Sequence, residues 1–267
     1  MSLQLIDWNE FLENPQASAL TIGVFDALHL GHLKLIGHVV NNGINPTVLT
    51  FKENPKKIMS EENFPGDIYS LKQKLSIFAN LGLSRLVLID FSAEFGKMSG
   101  RGFLDLLVNP GKMVFMAVGH DFACGHNRDM ASARIAEINS ERGIPTELIK
   151  PLMLDNELVS SSRIRTAILR GDFKQAELLT GRKLQLDLED AKVEFYDGAK
   201  LSSVLKGDLI SFFHRGVYCY DIAGLKRVSP QEGIYEVFIN KEKTKAYFSK
   251  GKLLLPQKAE SIEYIGV

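Results

Sequence analysis

The sequence predicts an α/β domain built on a parallel sheet, followed by a small antiparallel β domain. Three observations point there. Short apolar strands alternate with helices along the first two-thirds of the chain, the pattern of a parallel sheet covered on both faces. From Lys183 the helix signals stop and short runs rich in Tyr, Phe, Val and Ile follow, separated by turn pairs, an antiparallel pattern. At the first strand-to-helix junction, His29 and His32 flank Gly31. Ligands of parallel α/β sheets bind beyond the carboxyl ends of the strands.

Strands are expected over 20–25, 47–51, 85–89, 113–118 and 146–149. Helices are expected over 30–41, 71–80, 100–108, 132–142, 162–170 and 173–179. The first helix carries Leu33, Leu35, Ile36, Val39 and Val40 on its apolar side. Asn41-Asn42-Gly43, Gly82, Asn109-Pro110-Gly111 and Gly143-Ile144-Pro145 punctuate the series. Beyond Lys183, strands are expected over 192–196, 208–213, 217–222, 233–239, 245–248 and 262–265. Asp197-Gly198, Asn240-Lys241 and Lys250-Gly251 read as turns. The division expected is 1–182 and 183–267.

A chain of 267 residues with 45% apolar content holds one or two full cores. Thirty-two basic residues balance 32 acidic ones, which argues against a surface built to track a nucleic-acid backbone. Lys52, Lys56 and Lys57 cluster locally and read equally well as a solvated loop. The two cysteines, Cys124 and Cys219, lie far apart and fit a reducing compartment. No basic n-region precedes an apolar stretch at the N-terminus, and no segment approaches 18 consecutive apolar residues. A cytoplasmic protein without nucleic-acid or membrane partners is expected. The oligomeric state is left open.

The stretch Thr21 to His32 reads as a buried strand, a tight turn and the first turn of a helix. Histidines three apart can project from one side of that junction, and Gly31 lets a ligand or backbone approach. The N–H groups of a helix N-terminus bind anions, so two imidazoles there suit a nucleotide triphosphate. The bland alternative is two unrelated surface histidines. A protein zinc site is disfavoured, because no further His or Cys stands at ligand spacing. A second constellation, Val159-Ser160-Ser161-Ser162-Arg163-Ile164-Arg165, precedes an amphipathic helix. Ser160 or Ser161 can cap it. Two guanidiniums oppose the macrodipole there, so the pair suggests a phosphate partner. Solvent-exposed arginines on a well-capped helix are the alternative.

Together these segments resemble the FMN adenylyltransferase (FAD synthetase) module of bacterial riboflavin kinase/FAD synthetases, over roughly 20–182. The resemblance is carried by Gly23-Val24-Phe25-Asp26, by His29-Leu30-Gly31-His32 and by Leu49 to Pro55. Gly119-His120-Asp121-Phe122-Ala123-Cys124-Gly125 and Val159 to Arg165 complete it. It implies a Rossmann-like nucleotidyltransferase domain of the His-x-Gly-His type that joins FMN to ATP, giving FAD and pyrophosphate. It implies that His29, His32, Arg163 and Arg165 are catalytic. Gly23, Val24, Phe25, Gly31, Ser161 and Ser162 would bind the nucleotide. Asp26, Asn54, Asp121 and Phe122 would meet the substrate, with Asp26 read as a turn residue rather than a base and Phe122 equally as core. Magnesium would arrive with ATP, held by phosphate and water, with no protein metal site. His38, His120, His126 and His214 have no supporting motif.

The departures are specific. Ala27 stands where the family commonly has glycine, which matters only if that position has a positive φ. Glu53-Asn54-Pro55 replaces Pro-His-Pro, and Cys124 replaces an aromatic. The family's kinase barrel carries Pro-Thr-Ala-Asn, which is absent from this chain. The β domain is therefore expected to lack riboflavin kinase activity, and residues 1–182 alone are expected to carry adenylyl transfer. A related transferase with another phosphorylated acceptor and a non-catalytic nucleotide or flavin sensor are the alternatives.

Overall fold

The computed structural model describes residues 3–197, 200, 213 and 216–266. The chain forms two compact units. The first is Met1–Phe64 with Leu71–Val159, and the second is Pro65–Ser70 with Ser160–Val267.

The first unit runs β1 (Gln4–Asp7), α1 (Trp8–Glu13), β2 (Ser18–Ile22), α2 (Leu30–Asn42), β3 (Thr47–Phe51) and α3 (Pro55–Met59). It continues with α4 (Leu71–Phe78), β4 (Arg85–Ile89), α5 (Gly100–Val108) and β5 (Met113–Gly119). A two-residue ladder of β6 (Ala123–Cys124) and β7 (Met130–Ala131) follows, then α6 (Ser132–Glu141) and β8 (Thr146–Ile149). Strands β9 (Met153–Leu154) and β10 (Glu157–Leu158) make a second small ladder. The main sheet has the order β1-β4-β3-β2-β5-β8 and every pairing in it is parallel. Every residue of β2 and β4 is buried, as a sheet covered on both faces requires. Alternate residues divide between two cores. Leu20, Leu49 and Val87 join Phe103, Leu104 and Ile135. Ala19, Val48 and Leu86 join Leu35, Ile36, Val39 and Phe78.

After β2 the chain builds the sheet on one side through β3 and later returns to the other side through β5. The strand order therefore reverses at β2–β5, and crevices open beyond the carboxyl ends of such strands. The 23–29 turn follows β2 and the 120–129 segment follows β5.

Among the described residues of the second unit, α7 (Ser161–Leu169) and α8 (Phe173–Thr180) precede seven strands. These are β11 (Gln185–Asp187), β12 (Lys192–Tyr196), β13 (Val217–Asp221), β14 (Gly233–Ile239), β15 (Glu242–Ser249), β16 (Lys252–Leu255) and β17 (Ser261–Tyr264). They form one antiparallel sheet in the order β11-β17-β14-β15-β16-β13-β12. Asn240 and Lys241 (φ 51 and 71) close the β14–β15 hairpin, and Lys250 and Gly251 (φ 46 and 77) the β15–β16 hairpin, the backbone a tight two-residue hairpin demands. Phe173 on α8 stacks on Tyr264 at 4.2 Å and meets Tyr235 edge-on at 5.5 Å.

Strands 47–51, 85–89, 146–149, 192–196 and 233–239 occur at the expected bounds. The first strand stops at Ile22 rather than Phe25, because Phe25 turns left-handed (φ 49). β1, α1 and α3 were not expected: only Ile6 of β1 is buried, and α3 buries nothing, so neither shows a periodic pattern. The strand expected over 208–213 lies outside the described residues except for Phe213, as do Gly198 and His214.

Candidate active site

The turn between β2 and α2 holds two non-glycine residues in left-handed backbone, Phe25 (φ 49) and Leu28 (φ 43). Such residues cost on the order of 1 kcal/mol each and need packing to hold them. Both are buried. The Phe25 ring meets His32 at 5.1 Å and Phe78 at 5.9 Å, edge-on to both. A Cβ at Gly23 would stand 3.0 Å from that ring, so any larger residue there would have to displace the ring. Ala27 is not left-handed and serves without a glycine. Phe25, expected at the nucleotide, is a buried support beneath His32, and Asp26 is buried in the same turn.

His29 caps α2. Its Nδ1 accepts the His32 backbone N–H at 3.3 Å, so a neutral His29 carries its proton on Nε2. The two imidazoles stack 3.6 Å apart at 17°. A Cβ at Gly31 would press on the His29 ring at 3.2 Å. The His32 pKa is lowered well below its ordinary value, first by burial, then by His29 and by Lys74. His32 is thus neutral near pH 7. Its Nδ1 is buried with no hydrogen-bond partner among the described residues, which marks a site short of a ligand or water. Lys74 on α4 is buried and donates to the Val24 carbonyl at 3.5 Å. It was missed in the sequence, where it reads as one of the polar positions of an amphipathic helix.

Beside this turn lies a cavity of about 610 Å³. Gly23 and Val24 line it, with Phe51, Phe91, Phe95 and Phe103, Ile58, Met59 and Met98, and the 121–128 segment. Asp121 and Phe122 are part of that wall, Phe122 also packing on the core. His126, which had no motif to support it, is part of it too, with Nδ1 3.1 Å from the Gly96 carbonyl. Cys124 lines the cavity, and its thiol is pushed up to about 11 by burial and by Asp129. It is protonated and unreactive near neutral pH. The aromatic rings of 91–95 follow β4, and their place after a parallel strand was the available signal. Asn54 is buried and caps α3, its Oδ1 accepting the Lys56 N–H at 3.2 Å.

Ser161, Ser162, Arg163 and Arg165 lie on α7 of the second unit. Ser160 is the cap, its Oγ accepting the Arg163 N–H at 3.2 Å. The Arg165 Nε–H donates to the Gly66 carbonyl at 3.2 Å. The first unit brings His29, His32, Gly23, Val24, Gly31, Asp121 and Phe122 to the ends of β2 and β5, and the second holds the arginines and serines together on one helix terminus. No helix among the described residues is long and apolar enough to cross a membrane.

The family model of FAD synthetase matches residues 12–163. A bifunctional riboflavin kinase/FMN adenylyltransferase of Buchnera aphidicola subsp. Acyrthosiphon pisum is 28% identical over 170 residues, 62% of this chain and 54% of that protein. The Bacillus subtilis protein of the same name is 27% identical over 176 residues, 64% of this chain and 55% of that protein. This chain thus spans about half the length of the curated relatives it matches. A solved structure described as a macrolide-efflux protein from Streptococcus pneumoniae shares the fold, with a TM-score of 0.74 at 20% identity over 98% of this chain and 88% of that one. With more than half its length matched by the family model, and the paired histidines and the arginine helix both within or at the end of that match, the chain belongs to the FAD synthetase family.

Proposed function

We propose that the protein is an FMN adenylyltransferase that makes FAD and pyrophosphate from FMN and ATP. One observation carries this: the stacked His29–His32 pair at the head of α2 and the aromatic cavity share the Gly23-Val24 turn. A phosphate-binding helix terminus next to a large apolar pocket suits a flat hydrophobic ring bearing a phosphate.

In the reaction, an FMN phosphate oxygen attacks the α-phosphorus of ATP. The new P–O bond forms as the bond to the β-phosphate bridging oxygen breaks, and pyrophosphate leaves with the electron pair. A phosphate monoester is largely dianionic near pH 7, so the nucleophile needs no base. Positioning and charge stabilisation remain for the protein to supply. His29 donates from Nε2–H, and neutral His32 acts as a hydrogen-bond donor rather than a fixed cation. The cavity takes the isoalloxazine ring, with Asp121 and Phe122 in its wall and Asn54 holding α3 in place. Arg163 and Arg165, with Ser161 and Ser162, take the β- and γ-phosphates, as the resemblance implies. Among the described residues no group of three or more His, Cys, Asp or Glu is arranged to hold a metal. Magnesium would be carried by the triphosphate rather than by a protein cluster, and would supply charge neutralisation there.

Riboflavin kinase activity is not carried over from the relatives, because Pro-Thr-Ala-Asn is absent from residues 183–267. We place the protein in the cytoplasm on its cysteine usage, and the adenylylation module over 1–182. The test is to incubate the purified protein with ATP, magnesium and either FMN or riboflavin, and to separate the products by chromatography. FAD from FMN, and no FMN from riboflavin, is expected. Unchanged FMN alongside adenylylation of another phosphorylated acceptor would replace this reading with the related-transferase one. ATP binding without turnover would make the protein a sensor.

A further inference from the structure

We infer that Arg227, in the β-rich part of the second unit, is a positioning residue for Arg165, acting through the strap Pro65–Ser70. The inference rests on the phosphate-binding reading of Arg165. The chain leaves the first unit at Phe64, contributes Pro65–Ser70 to the second, and re-enters the first at Leu71.

The strap is fastened to Arg227 and its neighbours by backbone and side chain together. Asp67 and Arg227 form a parallel β-bridge outside the named strands. The Asp67 N–H donates to the Lys226 carbonyl at 2.9 Å, and the Val228 N–H to the Asp67 carbonyl at 3.0 Å. Arg227 Nη1 lies 3.7 Å from the Asp67 carboxylate and donates to the Tyr69 carbonyl at 3.1 Å. The two side chains of the pair are only 16% and 22% exposed, so water screens them little. Gly66 sits at φ +89, where a Cβ would stand 2.9 Å from the Arg227 carbonyl carbon. Only glycine allows both that backbone and that approach. The Ser70 hydroxyl donates to the Asp187 carboxylate at 3.0 Å, which ties the end of the strap to β11.

The carbonyl presented by this strap at Gly66 is the one that accepts the Arg165 Nε–H at 3.2 Å. A guanidinium is planar, so fixing Nε fixes the plane of the terminal nitrogens. An arginine held in this way loses less rotamer freedom when phosphate binds. Arg227 contributes by holding the strap carbonyl in place and touches no substrate. Nothing in the sequence announces this link, because residues 66, 165 and 227 lie far apart in the chain.

The test uses the full chain, with magnesium-ATP affinity measured by equilibrium titration and KM and kcat for FAD formation measured beside it. Arg165→Ala and Arg227→Ala are each expected to weaken ATP binding about tenfold, the effect of losing one member of a coupled polar network. KM should move more than kcat. Arg227→Ala added to Arg165→Ala should have little further effect, because the residue it positions is gone. Arg227→Lys should restore part of the loss. A merely structural Arg227 would multiply with Arg165→Ala instead of vanishing into it, and that result overturns the inference. Unchanged affinity in Arg227→Ala beside a weakened Arg165→Ala also overturns it and leaves the proposed function standing. Equal ATP affinity in Arg165→Ala and wild type overturns both. Should Arg227→Ala fail to fold, Asp67→Asn keeps the backbone bridge and removes the ion pair. It is expected to weaken ATP binding roughly threefold, and wild-type affinity there overturns the inference.

Discussion

The heads of α2 and α7 use one backbone device and fill it with opposite chemistry. In each, the residue before the helix caps the N–H three positions on: His29 accepts from His32 at 3.3 Å, and Ser160 from Arg163 at 3.2 Å. At α2 the cap is itself a candidate active-site group, buried, stacked on a second imidazole and held beside a neutral His32. At α7 the cap is a plain hydroxyl, and two guanidinium side chains follow it at Arg163 and Arg165. A shared local geometry therefore carries no fixed electrostatic role. Burial makes one terminus a neutral donor site, and guanidiniums make the other a cationic one.

The largest expected effect separates cap from chemistry at α2. Asparagine is a good N-cap, so His29→Asn should keep the helix start while removing the imidazole. His29→Asn and His32→Ala should each lower kcat by roughly 10²–10³, the usual cost of losing one donor to a developing charge. Circular dichroism should remain that of the wild type. Near-normal turnover in either variant would reduce the stacked histidines to a capping arrangement like that of Ser160.

Next in size is removal of everything after Arg182. Read from the sequence, residues 1–182 should suffice for transfer. In the second unit, however, α8 rests its Phe173 on Tyr235 and Tyr264, and the strap beneath Arg165 is fastened to Arg227. Truncation should weaken ATP binding by about tenfold or more and lower the melting temperature. Undiminished affinity in the truncated protein would show that α7 needs none of these partners.

A smaller change is expected at α7 itself. Arg163→Lys keeps the charge and loses the planar fork, so KM for ATP should rise roughly tenfold while kcat changes less. If lysine serves equally well, the terminus works through net charge alone.

The smallest effect is a pH dependence confined to α2. The His32 pKa is lowered in the folded state from 6.5, so the unfolded chain binds a proton that the folded chain refuses once pH falls below about 6.5. Folding stability should therefore decline on the acid side of that value, with no contribution from His32 above it. Denaturant titrations between about pH 7 and pH 5 should show a shallower decline in His32→Gln. Identical slopes would mean that His32 titrates normally.

Local pattern alone determined the parallel sheet, the helices over its two faces and the serine cap at α7. Each depends on residues a few positions apart, such as Leu35, Ile36 and Val39 on one side of α2. It also brought forward His29, His32 and the arginine helix, because they sit at element boundaries whose chemistry is readable. Phe25 shows where such reading stops. It looks like the last residue of a strand, yet it bends left-handed, and its ring supports His32 from within the core. The neutral state of His32 depends on burial and on Lys74, 42 positions further on by residue number. The aromatic cavity gathers rings from the end of β3, from α5 and from the segments after β4 and β5, and the Gly66 carbonyl that accepts from Arg165 lies on a strap that Arg227 also bonds. These are tertiary decisions: they rest on desolvation and on contacts between distant segments, and neither quantity has a period along the chain.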